Sequence, residues 1–207
     1  MAIRAASQWG VLNVAELHEC GLSDNAIARR RQRGTLHRIH PGVYSVNAPP
    51  LSMHARFLAA TKATNGVLSH YSAAVLWRLV HYDPNGPVHV TIANRKRRNV
   101  PGIIVHRSRR APQVTRLDSI PVTTPARALI DLSSMQSFTP LRRAVREGFA
   151  LKRVTLDELR GQTRQVDEAL AQGYVPTESE LEDATHDLIL APFQPPLVQP
   201  TLILDPA

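Results

Sequence analysis

The spacing of apolar residues changes period several times along the chain, and those changes mark out its elements. Over residues 3–8 and 14–19 apolar side chains recur three and four apart, and the runs close near Gly10 and Gly21, which predicts two short helices. Ser23 stands where it would cap a third helix over 24–33, with Asp24 at its positive end and Gly34 closing it. The stretch TLHRIHPGVYSV, 35–46, then alternates polar and apolar positions around His40-Pro41-Gly42, a hairpin pattern. Asn47-Ala48-Pro49-Pro50 reads as a linker, because paired prolines resist both helix and sheet. Three helices and a hairpin in this order predict a winged helix-turn-helix over 1–48.

A second domain is expected over 51–207. Helical periodicity covers 52–64 and 69–80, while 87–93 and 102–108 alternate as strands on either side of a basic connection at 94–99. Residues 120–123 fit another strand. Thr124-Pro125 and Thr139-Pro140 each set a hydroxyl before a proline, the signature of a capped helix start, and predict helices over 125–133 and 140–150. A short helix is expected at 155–160. A last helix is expected from Thr177, where Glu178 and Glu180 complete a capping-box pattern. The tail APFQPPLVQPTLILDPA is too rich in proline for a helix and is expected to run extended. The fold class predicted is therefore α+β: a winged helix-turn-helix followed by a mixed α/β domain.

Composition narrows the setting. No run of about 18 apolar residues exists to span a bilayer, and the start MAIRAASQWG has no apolar stretch of the secretory kind, so a cytoplasmic location away from membranes is expected. Cys20 is the single cysteine, with no sulfur partner for a disulfide or a structural zinc site, and is expected to act as a small core residue.

Charge changes the picture more. The net charge is +8, but residues 1–116 hold 17 Lys and Arg against 4 Asp and Glu, whereas 117–207 hold 8 against 13. Of the 25 basic residues 22 are Arg, the side chain that forks onto phosphate and guanine. A basic front half is the footprint of a phosphate-binding surface, and an acidic rear suits a protein partner or plain solvation.

The basic residues concentrate where the winged helix would meet DNA. Arg29, Arg30, Arg31 and Arg33 lie on or at the end of the third helix, and the hairpin adds His37, Arg38 and His40. In a helix-turn-helix the second helix of the pair enters the major groove with its N-terminal residues near base edges, which makes Asn25 a base-reading candidate. The arginines span too much of a helical turn to face one groove together, so some are expected on flanking phosphates.

The stretch RQRGTLHRIHPGVY, 31–44, resembles the winged-helix segment of AbiEi-type antitoxins, and LSHYSAAVLW, 68–77, resembles the start of their second domain. The likeness continues through VHVTI at 88–92, VHRS at 105–108 and IPVTTPARALIDL at 120–132, covering roughly residues 5–133. The resemblance implies an antitoxin of a type IV toxin–antitoxin pair that represses its own operon and neutralises a nucleotidyltransferase-like toxin through its second domain. The implied partners are operator DNA and that cognate toxin, with no cofactor.

Two further chemistries compete with this. The cluster Ser69-His70-Tyr71-Ser72 offers a hydroxyl beside a base, and with Asp131 would suit an atypical phosphotransferase that inactivates the toxin using ATP and magnesium. Against it, neighbouring helical residues point apart and a serine before an apolar helix is usually a cap, so Ser69 is expected to cap and pack. His81, His89 and His106 are expected as isolated histidines satisfied by local hydrogen bonds, without metal-ligand spacing. The acidic set Glu178, Glu180, Glu182, Asp183 and Asp187 resembles the opening helix of a metal-dependent nuclease domain, but no acidic-x-lysine signature follows and a solvated helix is the simpler expectation. No phosphate loop or protein-kinase signature is present. A regulator with an unrelated ligand-binding second domain is the remaining reading.

Overall fold

A computed structural model describes residues 1–93, 99–108 and 112–171. The basic connection at 94–98, the helix expected from Thr177, its acidic cluster and the tail lie outside the described residues. Those described belong to one compact unit, Met1–Ala171.

The front module runs α1 (Ala2–Ala6), β1 (Val11–Asn13), α2 (Val14–Glu19), α3 (Asp24–Gln32), β2 (His37–His40) and β3 (Val43–Ser45). Its strands form an antiparallel sheet in the order β1-β3-β2, with β1 an addition that the periodicity did not reveal. Local chemistry fixes both central helices. Asn13 accepts the Glu16 N–H at 2.9 Å while Glu16 Oε2 accepts the Asn13 N–H at 2.8 Å, a reciprocal cap that starts α2 at Val14. Ser23 Oγ accepts from the Ala26 N–H at 3.3 Å and starts α3 as expected. Gly34, at φ +68°, turns the chain out of α3 towards the hairpin, a conformation that a side chain would strain. Leu12, Leu17, Leu22, Ile27, Leu36 and Tyr44 close a small core beneath these helices, with Cys20 partly buried against it.

The rest of the unit comprises α4 (Met53–Thr64), β4 (Val67–Leu68), α5 (His70–Leu76), β5 (Val88–Ile92), β6 (Ile103–Arg107), β7 (Val114–Leu117), β8 (Ile120–Thr123), α6 (Pro125–Ser133), α7 (Phe138–Ala150), α8 (Leu156–Leu159) and α9 (Arg164–Ala171). The five strands order as β6-β5-β4-β8-β7, with β5/β6 and β4/β8 parallel and β4/β5 and β7/β8 antiparallel. The class is the expected α+β, with two sheets and a mixed second sheet. Leu68, Val90, Val122, Leu129, Leu132 and Leu141 are fully buried in its core, and Val11 and Val43 of the front sheet reach into the same core. No described helix is long and apolar enough to cross a membrane.

Three expectations need correction here. The helix expected over 69–80 stops at Leu76, because Arg78 turns left-handed at φ +65° although the apolar pattern runs on. The helix expected over 140–150 begins at Phe138 after Ser137, so Thr139-Pro140 sits inside its first turn. Strands β4 and β7 and helix α9 are additional to the expected elements: two and four residues give the strands too little length for periodicity to register, and α9 buries only Val166 and Ala169 over its eight residues.

Besides the apolar core they share, polar and ring contacts join the front module to the rest of the unit. Lys62 Nζ of α4 donates to both Glu16 carboxylate oxygens at 2.6 and 2.7 Å, and each side chain is 13% exposed. Burial alone would raise the Glu16 carboxyl, but Lys62 and the Asn13 N–H hold it below its ordinary range. On the other side Trp9 Nε1 donates to the Asp118 carbonyl at 2.8 Å and its ring stacks on His54.

Candidate nucleic-acid interface and buried histidine cluster

Helix α3 is anchored by one apolar side chain. Ile27 is 4% exposed, whereas Asn25, Arg29, Arg30 and Arg31, together with Arg33 at the C-cap, lie in solvent. At about 100° per residue, Asn25, Arg29 and Gln32 fall opposite Ile27, while Arg30 and Arg31 flank the anchored side. None of these arginines makes an ion pair with a described residue. The nearest acid on the helix, Asp24, is taken by His18 Nε2 at 2.9 Å.

The hairpin continues this face unevenly. Arg38 is exposed, His37 is half-buried, and the β2–β3 register shifts between Arg38 and His40. His40 is half-buried and its burial holds the imidazole below its ordinary pKa, so it is uncharged at neutral pH. The structure therefore brings Asn25, Arg29, Arg30, Arg31, Arg33, His37, Arg38 and His40 into one module, with His40 the least suited of them to phosphate. Sequence reasoning passed over Gln32, although its spacing from Arg29 placed it on the outer face.

A second constellation lies on the five-stranded sheet and the helices against it. His89 on β5 and His106 on β6 share one sheet face: the register opposes Thr91 to His106, leaving His89 on the diagonal. His89 Nδ1 and His106 Nε2 are 2.9 Å apart, and the His70 ring stacks on His106 with centroids 3.5 Å apart. His89 and His106 are thus partners in a three-ring cluster, not isolated, which residues 17 apart on parallel strands could not reveal beforehand. His81 does remain apart and exposed.

The cluster also gathers Ser69, His70 and Asp131. Ser69 occupies the N-cap position of α5 but makes no capping bond; its Oγ accepts from Thr91 Oγ1 at 2.8 Å and lies 3.0 Å from His70 Nδ1. The expectation that adjacent side chains point apart fails because His70 adopts φ +50°, outside the helical region. Asp131 Oδ1 accepts from Arg127 Nε at 2.7 Å, and its buried Oδ2, without a hydrogen-bond partner, faces the same His70 Nδ1 at 3.7 Å. A serine–histidine–carboxylate relay needs the hydroxyl and the carboxylate on opposite ring nitrogens, whereas here both approach Nδ1. Ser69 is also 0% exposed.

Burial sets the charge state of the cluster. Desolvation, with the neighbouring imidazoles adding to it, pushes His70 down to about 3 and His89 down to about 4. His106 is lowered by the same burial. Desolvation raises the Asp131 carboxyl, and Arg127 opposes the rise. Near neutral pH the rings are uncharged and their stacking carries no repulsion. No group of three or more His, Cys, Asp or Glu among the described residues is arranged to hold a metal ion.

Residues 1–47 match a family model described as transcriptional regulator, AbiEi antitoxin. The match spans α1 to β3, and this front module is similar to that of AbiEi antitoxin regulators, which supports a regulator or antitoxin role. No curated protein matches the chain.

Proposed function

We propose that the chain is an operator-binding regulator and antitoxin, whose front module is a winged helix that binds the DNA of its own promoter as a repressor. The observation that carries this reading is the set of solvent-facing arginines on α3 and β2 that no described carboxylate neutralises, in a module similar to AbiEi antitoxin regulators. Unpaired guanidiniums on a protruding helix are the complement of a phosphate backbone, and their affinity should fall with salt by a slope of about −0.9 per phosphate engaged. Gel shifts of the full chain on its promoter duplex over a salt series test it. A salt-independent affinity would overturn it.

In this reading the remainder of the chain, from about residue 51, neutralises a co-encoded nucleotidyltransferase-like toxin by stoichiometric binding in the cytoplasm. Inhibition should saturate near a fixed molar ratio and need no nucleotide.

One observation favours a second reading. The structure gathers Ser69, His70 and Asp131, the groups an atypical phosphotransferase would use with ATP and magnesium. The shared Nδ1 and the enclosed hydroxyl weigh against it. Intact-mass measurement of toxin after incubation with a small molar fraction of the chain separates the two: an ATP-dependent mass gain would support transfer, and an unchanged mass with equimolar inhibition would support binding.

A further inference from the structure

The outward ridge of α3 carries more than charge. Ile27 is the buried anchor, and the helix rotates about 100° and rises about 1.5 Å per residue. Asn25 and Arg29 then lie within about 20° of the direction opposite Ile27, and Gln32 within about 40°. All three are exposed, and none of their side chains has a hydrogen-bond partner on a described residue. Between Asn25 and Gln32 the helix advances about 10 Å, which is about three base-pair steps. Arg30 and Arg31 point back beside the anchored face, where a groove-seated helix meets the phosphate walls.

From this we infer that Asn25, Arg29 and Gln32 form the base-reading ridge, and that they select a half-site with a guanine flanked by adenines within about four base pairs. The chemistry is specific. An arginine fork spans guanine O6 and N7, and a carboxamide pairs in the same two-point way with adenine N6 and N7. The one arginine of the ridge lies between two carboxamides, so its guanine falls between two adenine edges. Ala28, exposed beside the ridge, leaves room for a base edge to approach. Arg30, Arg31, Arg33 and Arg38 then supply sequence-independent phosphate contacts. This inference rests on the DNA-binding reading and adds to it which bases are read and by which side chains.

Selection of duplexes from a randomised library by the full-length chain, followed by sequencing, tests it. The wild type should enrich a motif with a guanine between adenines. Arg29→Ala should remove the guanine preference, lowering affinity for the selected duplex roughly 10- to 100-fold. Asn25→Ala and Gln32→Ala should each release one adenine position. Arg30→Ala should weaken all duplexes alike and reduce the salt slope by about 1. These residues are exposed, so unchanged thermal unfolding confirms that each variant is folded. If Arg29→Ala enriches the same guanine, or Arg30→Ala alters a base preference, the ridge assignment is overturned while the DNA-binding reading stands. If the wild type binds duplexes without preference, the ridge assignment alone falls. If it binds no duplex, both fall.

Discussion

Two clusters of nitrogen-rich side chains, one on α3 and one around His70, look alike in composition and opposite in physics. On α3 the cations stand in solvent, held by backbone caps, with no described carboxylate opposite them. Around His70 the polar groups are enclosed and answer one another: Thr91 to Ser69, Ser69 to His70, His89 to His106 and Arg127 to Asp131. Burial there removes the charge instead of presenting it. Function is better sought where charge remains unanswered than where the chemically richest residues gather. A buried polar network paired in this way, with Asp131 Oδ2 its one unpartnered oxygen among the groups named, specifies how helices sit on a sheet. An unsatisfied cationic face awaits a partner.

Substitutions in the two clusters should have opposite consequences. The double variant Arg29→Ala, Arg31→Ala should weaken promoter binding about 100-fold or more at moderate salt, with thermal stability unchanged; a gel-shift titration reads it. Asp131→Ala should leave DNA binding intact but cost about 1–3 kcal/mol in denaturant unfolding, because it leaves Arg127 and the floor of the cluster unpaired. Asp131→Asn should cost less than 1 kcal/mol, since its oxygen still accepts from Arg127 and its amide can donate towards His70 Nδ1, where the carboxylate oxygen has no partner.

The smallest effect concerns pH. His70 and His89 have folded pKa values of about 3 and about 4, below an unfolded value of about 6.5. Their contribution to stability is complete above about pH 6.5 and is lost as pH falls towards those folded values, because the unfolded chain takes up the protons first. The raised Asp131 carboxyl acts in the opposite sense at the acid end and offsets part of the loss. Melting temperature should therefore decline between pH 7 and pH 4, and a His89→Asn variant, less stable at pH 7, should show a shallower decline.

The legible parts of the molecule were those written locally. Ser23, Gly34 and the hydroxyl before Pro125 fixed α3 and α6 within a residue, because a cap is a contact between near neighbours. The basic face was legible for the same reason, since Arg29 to Arg38 lie within ten residues of chain. The histidine cluster was not. His70, His89, His106 and Asp131 meet only after the parallel β5/β6 pairing forms and α6 docks, and no spacing rule links them. Left-handed backbone also cut the helical pattern short at Arg78 and turned neighbouring side chains together at His70, and neither residue type signals it.

Hydrogen–deuterium exchange of the full chain, with and without its promoter duplex, tests the central contrast most directly. Exchange should slow over residues 23–44, covering α3 and the β2–β3 hairpin, with the segments around His70, His89, His106 and Asp131 unchanged. Protection centred on the histidine cluster, with α3 exchanging as in the free chain, would contradict it.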